Sequence, residues 1–458
     1  MKIKALIISL VLISYVCTAQ TFFALHQFNA TDGWGPNALL QGMDGKIYGT
    51  TGTGGTNGSG TIFSMNPDGS GFNVIHYFSS SASNNTNQDG IEPSDGGLIQ
   101  GTDGKLYGIT DYGATNGFGT IFSTDTNGNN FIVLHYFDTA YPNNYNGRNP
   151  TGITQGSDGW LYGICPNGGT NGVGCVFKMN TNGSSYSVLH YFVVGTNDGI
   201  YPAGKLIQGN DGAFYGVTFH GPNNNLADGT VFRINANGSS YSILHTFPAT
   251  SPDCNPEGII QGIDGRLYGT TYWGEVFSLN RDGSGYSVLY SGSRQFYQNT
   301  IFQGSDGKLY GKSGGGGGGM WIFSLNTNGT TFNVVHNLGG GTGNSAVVNS
   351  TAGLIQGRDG ALYGTTTTDS NSTGPDPDGS YWGTVYKLPA TPLQITQAGS
   401  NLIMVSWPTW ANGYYTLQTN KNLSGNGWAV VSSGIATVTN NFVLTNTLTG
   451  NSEFYRLH

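Results

Sequence analysis

Gln100-Gly101-Thr102-Asp103-Gly104-Lys105-Leu106-Tyr107-Gly108 decides the fold, because the chain repeats it seven times as Gln-Gly-x-Asp-Gly-x-(Leu/Ile/Phe)-Tyr-Gly. The other copies begin at Gln41, Gln155, Gln208, Gln261, Gln303 and Gln356. A strand-rich unit recurring about every fifty residues is the signature of a propeller or an array. Asp-Gly between two apolar runs predicts a tight type I′ hairpin, which needs positive φ at both central residues. The run before it is strand A of each unit and the run after it strand B. Strand C follows a glycine-rich loop, as in Gly60-Thr61-Ile62-Phe63-Ser64. A second Asp-Gly or Asn-Gly turn leads to strand D, as in Phe72-Asn73-Val74-Ile75-His76-Tyr77-Phe78. Four short strands per unit make one propeller blade.

Strands A, B and C occur seven times, but strand D follows only six of them. The last unit ends at strand C, Thr384 to Leu388, and the missing D strand matches Phe23-Ala24-Leu25-His26-Gln27-Phe28. The expected fold is therefore all-β: a seven-bladed β-propeller over residues 20–388, closed by an N-terminal strand that removes the open edge. Pro389-Ala390-Thr391-Pro392 reads as a linker. In residues 393–458 the repeat gives way to short alternating segments with Trp407 and Trp428 as core residues, which predicts a small fibronectin- or immunoglobulin-like β-sandwich.

The repeat, with Gly-Thr-Ile-Phe and Val-Leu-His-Tyr-Phe after it, resembles the GloVer tandem-repeat family of secreted bacterial proteins over roughly residues 22–388. The resemblance implies an extracellular or cell-surface repeat protein and brings no catalytic residues. It also implies a C-terminal anchor, from which the amphipathic end Phe454-Tyr455-Arg456-Leu457-His458 departs.

Residues 1–19 have the form of a secretory signal: Lys2 and Lys4, an apolar run from Ala5 to Val16, and Cys17-Thr18-Ala19 as a small-x-small cleavage site. Only 9% of residues are charged, 76 are glycine and 12% are aromatic, a turn-rich β composition and not a disordered one. The net charge of −8 and the lack of any Lys/Arg cluster exclude a nucleic-acid partner. No stretch after the signal is apolar and long enough to span a membrane, and a secreted monomer is expected. Cys165 and Cys175 replace a Thr–Thr pair that ends strand B and starts strand C in other blades, such as Thr51 and Thr61. Export makes a Cys165–Cys175 disulfide the expectation, with Cys254 unpaired.

The A–B and C–D turns are short and uniform, whereas the B–C and D–A loops vary, as in residues 79–95 and 367–383. Variable loops on a rigid scaffold are where sites are built. Six histidines recur at one place in strand D (His26, His76, His135, His190, His245, His336), with Tyr290 in the remaining blade. A residue locked to the period is structural, bonding to a neighbouring blade. The seven Asp-Gly aspartates are turn formers. Off the pattern stand His220, assigned to a B–C loop, Asp95 and Glu257 just before strand A, and Asp111 just after strand B. Carboxylates at the channel mouth would serve a polysaccharide hydrolase or lyase if two faced each other. Trp34, Tyr112, Tyr201, Trp273, Tyr381 and Trp382 are loop-face rings suited to stacking on sugars. With Asp95, Asp111 and Glu257 they form the candidate ligand site, Trp34 and Trp382 sharing one patch. A binding or scaffold role towards an extracellular glycan or surface protein is favoured over an enzyme, and a purely structural surface repeat is a third reading. No cofactor is expected. Gly311-Lys312-Ser313 lacks the first glycine of a phosphate loop, with Asp306 in its place. Gly311-x-Ser313-x-Gly315 lacks the helix of a nucleophile elbow. Asp369-x-Asn371-x-Thr373-Gly374 begins like a calcium loop but reaches Ser380 at its twelfth place, which leaves Asp376 and Asp378 as the calcium candidates. No zinc motif occurs.

Overall fold

The computed structural model describes residues 23–81, 86–114, 117–137, 146–195, 198–222, 229–248, 255–292, 301–314, 320–338, 353–366 and 383–389, and the backbone of seven strands between 394 and 457. The described residues form strands and turns and no helix, so no helix among them could cross a membrane.

Seven antiparallel sheets are the blades of a propeller. In blade 1, strand A is split into Trp34–Pro36 and Leu40–Gln41, followed by B (Ile47–Thr53), C (Thr61–Met65) and D (Asn73–Tyr77). Blade 2 is built likewise from Asn87–Pro93 with Ile99–Gln100, then Leu106–Ala114, Thr120–Thr124 and Ile132–Tyr136. Blade 3 has Gly152–Gln155, Leu161–Cys165, Cys175–Met179 and Tyr186–Tyr191, and blade 4 Ile200–Gln208, Phe214–His220, Thr230–Ile234 and Ser242–Thr246. Blade 5 has Pro256–Gln261, Leu267–Thr271, Glu275–Leu279 and Ser287–Ser291, and blade 6 Phe302–Gln303, Leu309–Gly314, Met320–Leu325 and Asn333–Asn337. Blade 7 runs Ile355–Gln356, Leu362–Thr366 and Thr384–Leu388. Against its outer strand lies Phe23–Gln27, with Phe23 opposite Lys387 and Gln27 opposite Thr384.

Each residue of the repeat has a physical task, the same in every blade. The turn differs from the type I′ hairpin expected. Only its glycine, Gly45 in blade 1, has positive φ, and Gly45 N–H closes on Gly42 O while Gly42 N–H bonds to Lys46 O. This is a turn followed by one left-handed residue, the next commonest hairpin connection. It leaves Asp44 free to use both oxygens: one accepts Lys46 N–H at 3.1 Å, the other the Tyr48 hydroxyl at 2.7 Å. The Tyr–Asp bond recurs in all seven blades. The glutamine ties blades together. The Gln100 amide donates to Gly104 O in its own turn, and its oxygen accepts Met43 N–H of the preceding blade at 2.6 Å. This bridge runs around the whole ring. The last one, Arg358 N–H to Gln41 at 2.7 Å, joins blade 7 to blade 1, and the Arg358 guanidinium adds bonds to Met43 O and Gly42 O. The final glycine makes room: a Cβ on Gly49 would stand 2.4 Å from the Phe63 ring.

The core is seven seams and not one mass. Each apolar cluster draws residues from two adjacent blades, as Tyr107 and Ile121 of blade 2 pack with Leu161 and Phe177 of blade 3. The seam between blades 7 and 1 unites Tyr363 and Val385 with Ile47, Phe63 and Phe28. The strand-D histidines line these seams as their periodicity requires. His26, His76, His135, His190 and His245 each stack on an aromatic ring of the next blade (Phe72, Phe131, Tyr186, Tyr241 and Tyr286), with centroids 3.4 to 4.0 Å apart. Tyr290 does the same on Phe332 at 4.0 Å. Three also face a carboxylate in the following loop: His26 to Asp32 at 3.2 Å, His76 to Asp89 at 3.4 Å and His190 to Asp198 at 2.9 Å.

Cys165 and Cys175 stand directly opposite one another but are free thiols, which corrects the expected disulfide. The equivalent threonines of other blades hold hydroxyl–hydroxyl hydrogen bonds of 2.9, 2.9 and 2.7 Å. The Cys175 thiol instead donates to Asn146 O at 3.8 Å, and burial raises the pKa of Cys165 well above its ordinary value. Cys254 lies outside the described residues, as does the signal segment 1–19. In the C-terminal segment, Gln394–Gly399, Leu402–Pro408, Asn441–Thr447 and Ile435–Val438 form one sheet, and Leu417–Asn420, Ala429–Val430 and Phe454–Leu457 another.

Candidate functional site

The loops that enter blades 2, 3 and 4 share the ending Glu92-Pro93, Asn149-Pro150 and Tyr201-Pro202. The residue before each proline is left-handed, with φ of 55°, 53° and 56°. That conformation is unfavourable for a side chain-bearing residue and marks a position the surroundings impose. Here each left-handed N–H reaches a carbonyl of the preceding blade: Glu92 to Ser59 O at 3.2 Å, Asn149 to Phe118 O at 2.9 Å and Tyr201 to Val173 O at 2.9 Å.

Downstream of these clasps the spacing to the repeat glutamine varies. Pro36, Pro150 and Pro256 stand five residues before it, Pro202 six and Pro93 seven. The surplus residues bulge: the pairing of Ile200–Gln208 with strand B shifts register between Ala203 and Ile207. The two bulges carry Asp95-Gly96 and Gly204-Lys205 into a cavity of about 600 Å³. Asp111, Glu257, Tyr201 and His220 line the same cavity. Glycines are needed in the bulges because the backbones touch. A Cβ on Gly204 would fall 2.5 Å from Glu257 O, and one on Gly96 would run into Thr151 O.

Of the carboxylates singled out in the sequence, Asp95, Asp111 and Glu257 therefore meet in one place. Asp111 lies within an extended strand B and not after it. Burial, helped by the nearby charges of Asp95 and Glu92 and opposed by the Ser94 hydroxyl, pushes its pKa up to about 7. Burial also raises Glu92. Asn149 pins the Asp111 carbonyl at 2.9 Å. His220 ends strand B of blade 4, not a loop, and its ring meets Tyr201 edge-on at 5.3 Å.

Of the candidate rings among the described residues, Tyr201 alone lines the cavity. Trp34 pairs with Thr53 in the split strand of blade 1, and Tyr112 and Trp273 lie exposed outside it. Tyr381, Trp382, Asp376 and Asp378 lie outside the described residues. Among those that are described, no group of three or more His, Cys, Asp or Glu side chains is placed to hold a metal.

Two lysines were missed in the sequence, one lining the cavity and one buried within electrostatic reach of Asp95. Lys205 lines the cavity, its pKa lowered by burial. Lys312 is 1% exposed, donates to Thr365 O at 3.3 Å, and is pushed down to about 7 by burial against the opposing pull of Asp95. The signal for Lys312 was present: it stands second after the repeat tyrosine, where other blades have Thr50, Ile109, Ile164, Val217, Thr270 and Thr365.

A profile of the Gloeobacter/Verrucomicrobia repeat matches residues 11–227 and again 204–441. The chain belongs to that family. No curated protein matches this family member in sequence. Its fold is similar to that of streptogramin B lyase (19% identity, 80% of this chain and 97% of that one, TM-score 0.50). It is also similar to a catalytically inactive virginiamycin B lyase from Staphylococcus aureus with quinupristin (15%, 80% and 98%, TM-score 0.51) and to puromycin hydrolase (11%, 84% and 61%, TM-score 0.52). At these identities the likeness extends to the propeller alone.

Proposed function

We propose that this Gloeobacter/Verrucomicrobia repeat protein is a secreted binding module that takes a polar, sugar-like ligand into the cavity at the mouth of the propeller channel. The observation that carries the reading is the meeting of Asp95, Asp111 and Glu257 with Lys205, His220 and Tyr201 around one space of about 600 Å³, the size of a small-molecule site. Carboxylates and amines satisfy hydroxyls while the ring offers an apolar face. The partner is an extracellular glycan or a glycosylated surface protein, met by a monomer whose signal segment directs export. In this reading Phe23–Gln27 latches blade 7, and the C-terminal sheets pack as a small sandwich.

A hydrolase or lyase is the second reading, favoured by Asp111. A carboxyl with a pKa of about 7 can hold a proton near neutrality and deliver it to a leaving oxygen.

A glycan array with the mature chain tests the first reading. Tyr201→Ala and Glu257→Gln are expected to weaken any hit by about 1–3 kcal/mol, whereas Trp34→Ala leaves it unchanged. The reverse pattern would move the site to the rim. Product analysis of each hit tests the second. Turnover that needs protonated Asp111 should fall as pH rises through about 7 and be lost in Asp111→Asn. Hits that bind without yielding product would confine the protein to binding.

A further inference from the structure

The cavity has an aromatic exit. From Tyr201 the rings continue without a break: His220 at 5.3 Å, Phe219 at 5.2 Å from His220, Tyr272 at 6.4 Å from Phe219, and Trp273 at 5.2 Å from Tyr272. Tyr201, Phe219 and His220 face the cavity, and Trp273, at the far end, is 41% exposed. The track crosses from blade 4 to blade 5, and one side chain fixes the crossing. Asn255 donates from its amide to Phe219 O at 2.7 Å, and its own carbonyl accepts Tyr272 N–H at 2.8 Å. Asn255 is buried, so the ledge is built into the fold and not a chance meeting of surface rings.

We infer that the bound glycan is a chain and not a single sugar, with one end in the cavity and successive residues lying along Phe219, Tyr272 and Trp273. This rests on the cavity reading and adds length and direction to it. Rings in a row present apolar faces at successive steps, which a polymer can use and a lone sugar cannot. Trp273 is then the outermost subsite. It touches only ligands long enough to leave the cavity, so its effect depends on ligand length.

Calorimetric titration with dimers and hexamers from the cellulose, xylan, chitin and polygalacturonate series tests this on the full mature chain. In any series that binds, the hexamer is expected to bind about tenfold more tightly than the dimer. Trp273→Ala should abolish that advantage while leaving dimer affinity and the unfolding midpoint unchanged. Equal affinity for dimer and hexamer, or a hexamer advantage that survives both Trp273→Ala and Tyr272→Ala, would overturn the track and leave the cavity reading standing. Loss of dimer binding in Trp273→Ala would overturn it too, by placing that ring at the primary site. No binding in any series would overturn the glycan reading and the track together.

Discussion

Removal of residues 20–30 is expected to lower the unfolding midpoint more than any single substitution in the ring. Phe23–Gln27 covers the outer edge of blade 7. Without it, Thr384–Leu388 presents unpaired backbone groups to solvent, an exposed edge that also invites aggregation. Side chains are lost as well. Phe28 is 3% exposed and packs into the seam between blades 7 and 1, and His26 stacks on Phe72 at 3.4 Å. Truncating one buried phenylalanine costs about 3–5 kcal/mol, so Phe28→Ala alone should give a clear fraction of the deletion's effect. The ring should still close, because Arg358 joins blade 7 to Gln41 and Met43 of blade 1 independently of the N-terminal strand. Calorimetry of the deletion and of Phe28→Ala checks this. An unchanged midpoint would mean that the N-terminal strand is an ornament.

Lys312→Met is expected to stabilise the protein at neutral pH. The buried amine has a folded pKa of about 7 against an ordinary 10.5. Between those values the unfolded chain holds a proton that the folded chain does not, so wild-type stability rises with pH across that window. Methionine has similar bulk and no charge to desolvate. The gain should be largest at pH 7 and below, at most about 5 kcal/mol at about 1.4 kcal/mol per pKa unit, and should fade towards pH 10. Denaturant melts of both proteins at pH 6, 7.5 and 9 measure it. A variant less stable at neutral pH, or a difference that does not change with pH, would contradict it.

The ring was legible because its signals are local and repeated. Asp-Gly turns, strand alternation and the strand count give blades directly, and a histidine fixed to the period had to belong to the framework. What the repeat glutamine does was not legible. Its oxygen bonds to the preceding blade, and nothing in a strand pattern names a partner some fifty residues away. The aspartates facing His26, His76 and His190 escaped for the same reason. The register of Cys165 and Cys175 was legible, but spacing alone does not say whether two facing thiols are joined. At the site, Asp95, Asp111, Tyr201 and Glu257 were found because they break the pattern. Trp34, Tyr112 and Trp273 break it equally but stand outside the cavity, because ring type says nothing about which way a loop turns. Lys205 and Lys312 could have been found by asking which blade puts a charge where the others put none.

A structure of the protein with the tightest oligosaccharide found by titration tests the account most directly. The account predicts a sugar residue within hydrogen-bonding distance of Glu257 and Asp95 and against Tyr201, with the chain leaving over Phe219 towards Trp273. A ligand seated on Trp34 or on the short-turn face, with the cavity empty, would contradict it.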